Sequence, residues 1–398
     1  MHDCPEASAS GREGAPARPR LQDVFRVHGP DYRACHALSP RADRLIGDLI
    51  ACRTAALGGH LYVCPGCGHN EPHYNSCRNR ACPSCQALEA ARWIEAREKR
   101  ILPVGHHHVV FTLPSQLRPL ARCNAKEVYN LLFEAGHATL SELAAEAWGA
   151  RLGITAVLHT WTRELHFHPH IHCVVTGGGL SLDGTRWVVH TRYLFPSRRM
   201  RALFRARLLA GLARLRAEGL LVLPDETEDR QDEGAWNALI ASLPGKEQWV
   251  VYVKAPFGRS THVLRYLGRY THRAALSDQR LAAFDDHSVT FRTHGDQTLT
   301  LAPDEFIRRF LLHILPRRFH KIRHYGLYAP AATHGALARA GERLGQGDRA
   351  CAPAPDPAET WDAFLLRLTG KDPLLCPKCN VARLERRPLP DLPPKKPP

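Results

Sequence analysis

An α+β fold, an antiparallel sheet with flanking helices preceded by a small cysteine-rich module, is what this sequence predicts. Three observations predict it. Short β-branched and aromatic runs occur without regular alternation with helical segments. Longer stretches carry apolar residues at three- and four-residue spacing. The segment CPGCGHNEPHYNSCRNRACPSC, residues 64–85, holds two Cys-x-x-Cys pairs.

Taken in order, residues 1–20 are rich in Pro, Ala, Gly and Arg and predict a disordered arm. Between Leu21 and Leu57, LQDVFRVHG and RADRLIGDLIACRTAAL have helical spacing, and with the cysteines they make a module over 21–100. HHHVVFTLP, His106 to Pro114, is a strand stopped by proline. AKEVYNLLFEAGHATLSELAAEAW is helical. GITAVLHTWTREL and HPHIHCVVTGGGL are two strands joined by a polar turn, and RRMRALFRARLLAGLARLRAEGL is a basic amphipathic helix. EQWVVYVKAP predicts a strand, STHVLRYLGRYTHRAAL a helix, SVTFRT with TLTLAP a hairpin, and PDEFIRRFLLHIL a helix with Pro303 in its first turn. These elements form the main domain, 101–330, and 331–398 is a loop-rich tail.

With 398 residues, 44% of them hydrophobic, the chain has material for more than one domain. Its net charge of +15 points to a polyanionic partner such as nucleic acid. No apolar core of a signal peptide follows Met1, and no run approaches the ~18 apolar residues of a membrane span. The expectation is a cytoplasmic protein with no membrane partner. In a reducing compartment, its 13 cysteines, several in Cys-x-x-Cys pairs, mean metal rather than disulfides.

Cys64/Cys67 and Cys82/Cys85 are the expected ligands of one structural Zn²⁺, four thiolates in a tetrahedron. Cys77 is a fifth sulfur that either replaces one of them or stays a buried thiol, and His60, His69 and His73 are weaker candidates. Arg78 and Arg80 flank the site and can face phosphates. Cys376 and Cys379, in CPKC, are half of such a site without an obvious second pair.

LHFHPHIHCVV, Leu165 to Val175, sets His166, His168, His170 and His172 at every second position, so an extended strand lines them along one face. His170 and His172 are the leading pair for a catalytic metal. His159, on the preceding strand, can fold back across the turn as a third ligand. Open metal positions would suit such a site to polarising a phosphate oxygen. YLGRYTHR sets Tyr266 and Tyr270 four residues apart among Arg265, Arg269, His272 and Arg273, an environment suited to phosphate. Arg198, Arg199, Arg201, Arg205 and Arg207, and later Arg317, Arg318, Lys321 and Arg323, are candidates for neutralising a nucleic-acid backbone.

HPHIHCVVTGGGL, YLGRYTHRAAL, YNSCRNRACPSCQ and PRRFHKIRHYGLYA together resemble the rolling-circle insertion-sequence transposases of the ninety-one family, members of the HUH class of single-strand endonucleases. The resemblance runs from about Leu21 to Ala329. It implies an HUH-type antiparallel sheet in which His170-Ile171-His172 binds one Mg²⁺ or Mn²⁺ with His159 as third ligand. It also places Tyr266 and Tyr270 at the catalytic tyrosines, which cleave single-stranded DNA at element ends through a 5′-phosphotyrosine, with host replication machinery as a partner. Plasmid replication initiators and relaxases share that chemistry. A non-catalytic, zinc-dependent DNA-binding regulator is the reading from outside enzymology.

Overall fold

The computed structural model describes residues 18–190, 194–224, 232–245, 248–257, 275–345 and 359–389. The chain opens with helices α1 (Leu21–Cys35) and α2 (Pro40–Ala51), strands β1 (Gly59–Val63) and β2 (Asn70–Tyr74), and helix α3 (Ala87–Glu98). Next come β3 (His106–Thr112), α4 (Arg118–Cys123), α5 (Ala125–Trp148), β4 (Ala150–Arg151), β5 (Gly153–Trp161), β6 (Phe167–Thr176), β7 (Gly178–Ser181) and β8 (Trp187–Val189). They are followed by α6 (Ser197–Ala217), α7 (Glu233–Ala241), β9 (Val251–Phe257), β10 (Leu281–Phe284), β11 (Val289–Arg292) and β12 (Thr298–Leu301). The described chain finishes with α8 (Pro303–Leu311), β13 (Ile322–Gly326), α9 (Ala338–Arg343), α10 (Trp361–Thr369) and β14 (Glu385–Pro388). The fold is α+β and its strand pairings are antiparallel. Among the described residues no helix is long and apolar enough to cross a membrane.

The central sheet has five strands in the order β13-β5-β6-β3-β9. Its strands alternate, and the alternation sorts two kinds of surface. On one face, Phe167, Ile171, Cys173 and Val175 of β6 and Val109 and Phe111 of β3 are buried in a core shared with α5 and α6. Fully burying a side chain such as Ile171 or Phe111 is worth about 1.5–3 kcal/mol, so this face fixes the register of every strand. The opposite face of β6 carries His168, His170 and His172, each only partly buried.

Helix α5 approaches the sheet closely at Gly136, where a Cβ would lie 2.5 Å from Ile171 Cδ1 and 3.2 Å from a Phe111 ring carbon. The helix stops at Gly149, whose φ of +57° continues the chain in a left-handed turn. Helix α6 lies against α5. Three of its arginines are paired with α5 glutamates, Arg199 with Glu146, Arg207 with Glu142 and Arg214 with Glu134. Here the run of arginines read as a backbone-neutralising surface is a helix–helix seam for Arg199 and Arg207.

A second core joins α1 and α2 to β10, β11, β12 and α8 through Phe25, Leu45, Ile46, Phe291 and Phe306. Helix α2 starts on Ser39, whose hydroxyl accepts from Ala42 N–H, with Pro40 in the first turn. The final strand, β14, pairs with β1, which also pairs with β2, so residues from the tail complete a three-stranded ribbon in the N-terminal module. The expected disordered arm, 1–20, lies outside the described residues as far as residue 17.

Two glycines in helices separate propensity from packing. Gly47, in α2, has no neighbouring atom within 4 Å of the place a Cβ would occupy, so Gly47→Ala should raise stability by about 0.5–1 kcal/mol. Gly136→Val should lower it by about 1–3 kcal/mol, because the added carbons meet Ile171 and Phe111. Urea unfolding of the two variants measures both signs.

Candidate active site

Three imidazoles converge on the face of the central sheet opposite its main core, His159 buried and His170 and His172 half-buried. Pairing of β5 with β6 sets His159 opposite His170 and Val157 opposite His172, and one ring nitrogen of each of His159, His170 and His172 lies within 4.8 Å of the others. Between His159 and Trp161 the register shifts, so that His168 and Pro169 together oppose Thr160. This bulge explains how a proline occupies an interior strand, and it lets β6 run through Pro169 rather than start beyond it.

Hydrogen bonds fix how the rings present themselves. His170 Nδ1 lies 2.6 Å from the His168 carbonyl and donates to it, which leaves Nε2 as the bare nitrogen. His172 Nδ1 lies 2.7 Å from His108 Nε2; with His172 donating, its Nε2 is bare too. Burial pushes His170 down to about 4 and His172 well below the ordinary imidazole range, so both are neutral, as ligation requires. The donor set therefore fits a divalent ion at His159, His170 and His172. His168 takes no part in the cluster: its Nδ1 accepts from Arg118 at 2.7 Å. His166 is exposed and also outside it.

Beside the imidazoles, Trp161 stacks on His159 with ring centroids 4.8 Å apart and forms one wall of a cavity of 630 Å³. Arg41, Arg44, Arg80, Arg317 and Lys321 also line it, and among the described residues its walls carry no acidic side chain. Arg41, Arg44 and Arg317 are exposed there. Lys321 is pushed down to about 8 by burial and by the charge of Arg80. On β9, Tyr252 is exposed on the same sheet face as His172, both being in register with Val110 of β3.

Other expected phosphate contacts have structural partners instead. The Arg80 guanidinium donates to the carbonyls of Leu315, Pro316 and Phe319, tying the cysteine module to the approach to β13. Arg323 stacks on Phe133 and Phe319 and bonds Asn130. Arg78, Arg317 and Arg318 are exposed. Tyr266 and Tyr270, with Arg265, Arg269 and Arg273, lie outside the described residues. The HYGLYA stretch serves the fold: β13 edges the sheet, Tyr325 stacks on His137 at 4.0 Å, and the buried Tyr328 hydroxyl lies 2.7 Å from His106 Nε2.

The cysteines separate into two groups rather than the single expected set. Cys82 and Cys85 meet Cys52 and Cys77, whereas Cys64 and Cys67 meet Cys376 and Cys379. The physical reason is that β1 carries Cys64 away from the Cys82 knuckle and into pairing with β14. In the first group the Sγ–Sγ distances of 3.5, 3.6 and 3.8 Å match the ~3.8 Å edge of a tetrahedron with Zn–S bonds of about 2.3 Å. Gln22 Nε2 lies 3.3 Å from Cys82 Sγ and helps hold it in place. Sequence reasoning left Cys77 open and missed Cys52, which has no neighbouring cysteine. The signal that could have found it was parity: with Cys52 counted, eight cysteines make two complete tetrads. Arg41 and Arg44, three apart on α2, and His108 behind His172 were also missed.

Comparison with known proteins agrees with these features. A transposase zinc-binding domain matches residues 24–113, and a family described as "Putative transposase" matches residues 153–335. The protein named "Putative transposase y4qJ" of Sinorhizobium fredii (strain NBRC 101917 / NGR234) is 42% identical over 376 residues, 92% of this chain and 94% of its own length. The transposase for insertion sequence element IS801 of Pseudomonas savastanoi pv. phaseolicola is 30% identical over 343 residues, 84% of this chain and 80% of its own. No solved structure matches. The cysteine module and the imidazole-bearing sheet are thus those of a DNA-processing enzyme of the transposase class. The chain belongs to the IS91 family of insertion-sequence transposases.

His108→Ala should weaken Mn²⁺ binding by about 10- to 100-fold by releasing the ring of His172, as titration calorimetry would read; an unchanged affinity would exclude His108 as its orienting group. The buried histidines also set a pH response. His106 and His313 are buried and held down to about 4 against an ordinary 6.5. The unfolded chain binds protons in that window and the folded one does not, so their contribution is whole above about pH 6.5 and is lost as pH falls toward 4. On the order of 1–2 kcal/mol per residue should disappear by about pH 5, and His313→Gln should flatten the fall in urea midpoint.

Proposed function

We propose that this transposase cleaves and rejoins single-stranded DNA through a 5′-phosphotyrosine during rolling-circle transposition. The observation that carries the reading is the clustered trio His159, His170 and His172 on one sheet face, next to a basic cavity. A divalent ion held by these rings, Mn²⁺ or Mg²⁺, would draw charge from a non-bridging oxygen of the scissile phosphate. An all-imidazole set suits Mn²⁺ better than Mg²⁺, which prefers oxygen ligands.

Tyr266 or Tyr270 supplies the nucleophile. Its oxygen forms a bond to phosphorus, the phosphorus to 3′-oxygen bond breaks, and the proton lost from the phenol ends on the departing 3′-oxygen. The bond energy stays in the phosphotyrosine, so joining to another strand needs no ATP, and host polymerases extend the freed 3′-OH. With a second tyrosine, a second strand is cut while the first remains attached. Arg265, Arg269 and Arg273 stand next to these tyrosines in sequence and counter phosphate charge. Arg41, Arg44, Arg317 and Lys321 carry the strand past the sheet edge, with Trp161 and Tyr252 available for stacking bases. Arg78 and Arg318, also exposed, extend the basic surface, and the zinc module contributes to reading the element ends. All of this takes place in the cytoplasm, where the DNA is.

Replication initiators and relaxases use the same chemistry, and membership in a transposase family favours the present reading over them. The test incubates the purified protein with Mn²⁺ and labelled single strands spanning the element ends, then looks for a denaturant-resistant adduct. We expect a metal-dependent adduct that disappears in Tyr266→Phe/Tyr270→Phe and falls steeply in His172→Ala. Zinc-dependent binding without any adduct would overturn the proposal in favour of a non-catalytic regulator.

A further inference from the structure

The second cysteine group joins the two ends of the described chain. Cys64 Sγ lies 3.7 Å from Cys379 Sγ, and Cys67 Sγ lies 3.7 Å from Cys376 Sγ. All four sulfurs fall within 4.8 Å of one another. A disulfide would require about 2.05 Å, whereas the observed separations suit the edges of a ZnS₄ tetrahedron with bonds of about 2.3 Å. Both of these contacts run between the two knuckles, which brings the four thiols round one point.

The two knuckles are built alike. In Cys64-Pro65-Gly66-Cys67-Gly68 the Gly68 N–H donates to the Cys64 carbonyl at 3.0 Å, and Gly68 has φ +69°. In Cys376-Pro377-Lys378-Cys379-Asn380 the Asn380 N–H donates to the Cys376 carbonyl at 2.9 Å, and Asn380 has φ +54°. Each first cysteine then pairs its own N–H with a carbonyl beyond its turn, Cys64 with His69 at 2.8 Å and Cys376 with Ala382 at 2.9 Å. An L-residue such as Asn380 takes up a left-handed conformation only where its surroundings require it, and here it repeats the geometry that glycine provides in the other knuckle.

Around these knuckles the apolar support is thin. Tyr62, Cys64, Cys376 and Leu384 are the buried members of their cluster. Two segments more than three hundred residues apart in sequence thus meet over a small apolar cluster. The strands β1 and β14 pair from His60↔Pro388 to Val63↔Glu385, and Arg367 of α10 ties to Glu95 of α3. These contacts align the segments, and bound metal would lock them.

We propose that Cys64, Cys67, Cys376 and Cys379 bind a second structural zinc, which clasps the C-terminal segment onto the N-terminal module and encloses the central sheet in a loop of chain. The site is separate from the one at Cys52, Cys77, Cys82 and Cys85, and it does not depend on the catalytic reading.

The experiment is cadmium NMR of the full-length protein after zinc exchange, in which all-thiolate sites resonate apart from any ion on the imidazoles. The expected result is two resonances in the all-sulfur region. Cys376→Ser/Cys379→Ser should remove one of them, and Cys77→Ser should remove the other. A single all-sulfur resonance in the unmutated protein would overturn the proposal, as would survival of both in Cys376→Ser/Cys379→Ser. If that variant does not fold, alkylation of the unmutated protein decides. Protection of Cys376 and Cys379 that is lost together with that of Cys64 and Cys67 on chelation supports the clasp, and free reaction of Cys376 and Cys379 in the zinc-loaded protein refutes it.

Discussion

Antiparallel pairing of β5 with β6 is the constraint on which the candidate site rests. Because side chains alternate along a strand, a shift of one residue would exchange the two faces. Slipping β6 would bury His170 and His172 against α5, away from His159 on β5, and turn Ile171 and Cys173 to the opposite side. The register is held by the buried face, where Ile171 and Phe111 meet α5 at Gly136. Packing on one side of the sheet thereby sets the placement of the imidazoles on the other. In the β5–β6 pairing, alternation yields at the bulge of His168 and Pro169, beside the imidazoles, and there His168 is separated from the trio.

Burial and hydrogen bonding then prepare the rings. An imidazole in bulk water is partly protonated near neutrality, and a protonated ring does not ligate a metal. Desolvation on the sheet face keeps His170 and His172 neutral, while the His168 carbonyl leaves Nε2 of His170 bare and His108 holds the ring of His172 in place. His108 belongs to a buried run, His106 to His108, whose members serve the sheet and its neighbours. The same residue type is thus used on adjacent strands for structure and for the proposed chemistry.

Positive charge is divided in a similar way. Arg199, Arg207 and Arg214 bind α6 to α5, Arg80 anchors the cysteine module, and Arg323 stacks on two phenylalanines. Among the described residues, one group of basic side chains, Arg41, Arg44, Arg317 and Lys321, gathers around the cavity between α2 and the approach to β13, whose wall includes Trp161, stacked on His159. Net charge alone could not locate it, since a guanidinium on a carboxylate and one facing solvent count equally in a composition.

Local patterns determined much by themselves. Period-two histidines gave a one-faced strand, apolar spacing gave α5 and α6, and the hairpin of β11 and β12 followed from two short β-branched runs. These depend on neighbours in sequence, and so they are legible there. The partition of the cysteines was decided by tertiary structure: Cys-x-x-Cys spacing identifies a knuckle but not its mate, and the mate of Cys64 and Cys67 comes from β14's side of the fold, some three hundred residues away. Cys52 and His108 were hidden for the same reason, having no motif of their own and acquiring their place only when α2 meets the Cys82 knuckle and β3 pairs with β6. Sequence spacing carries a pattern along one element, whereas which elements meet is settled by the burial of their apolar faces.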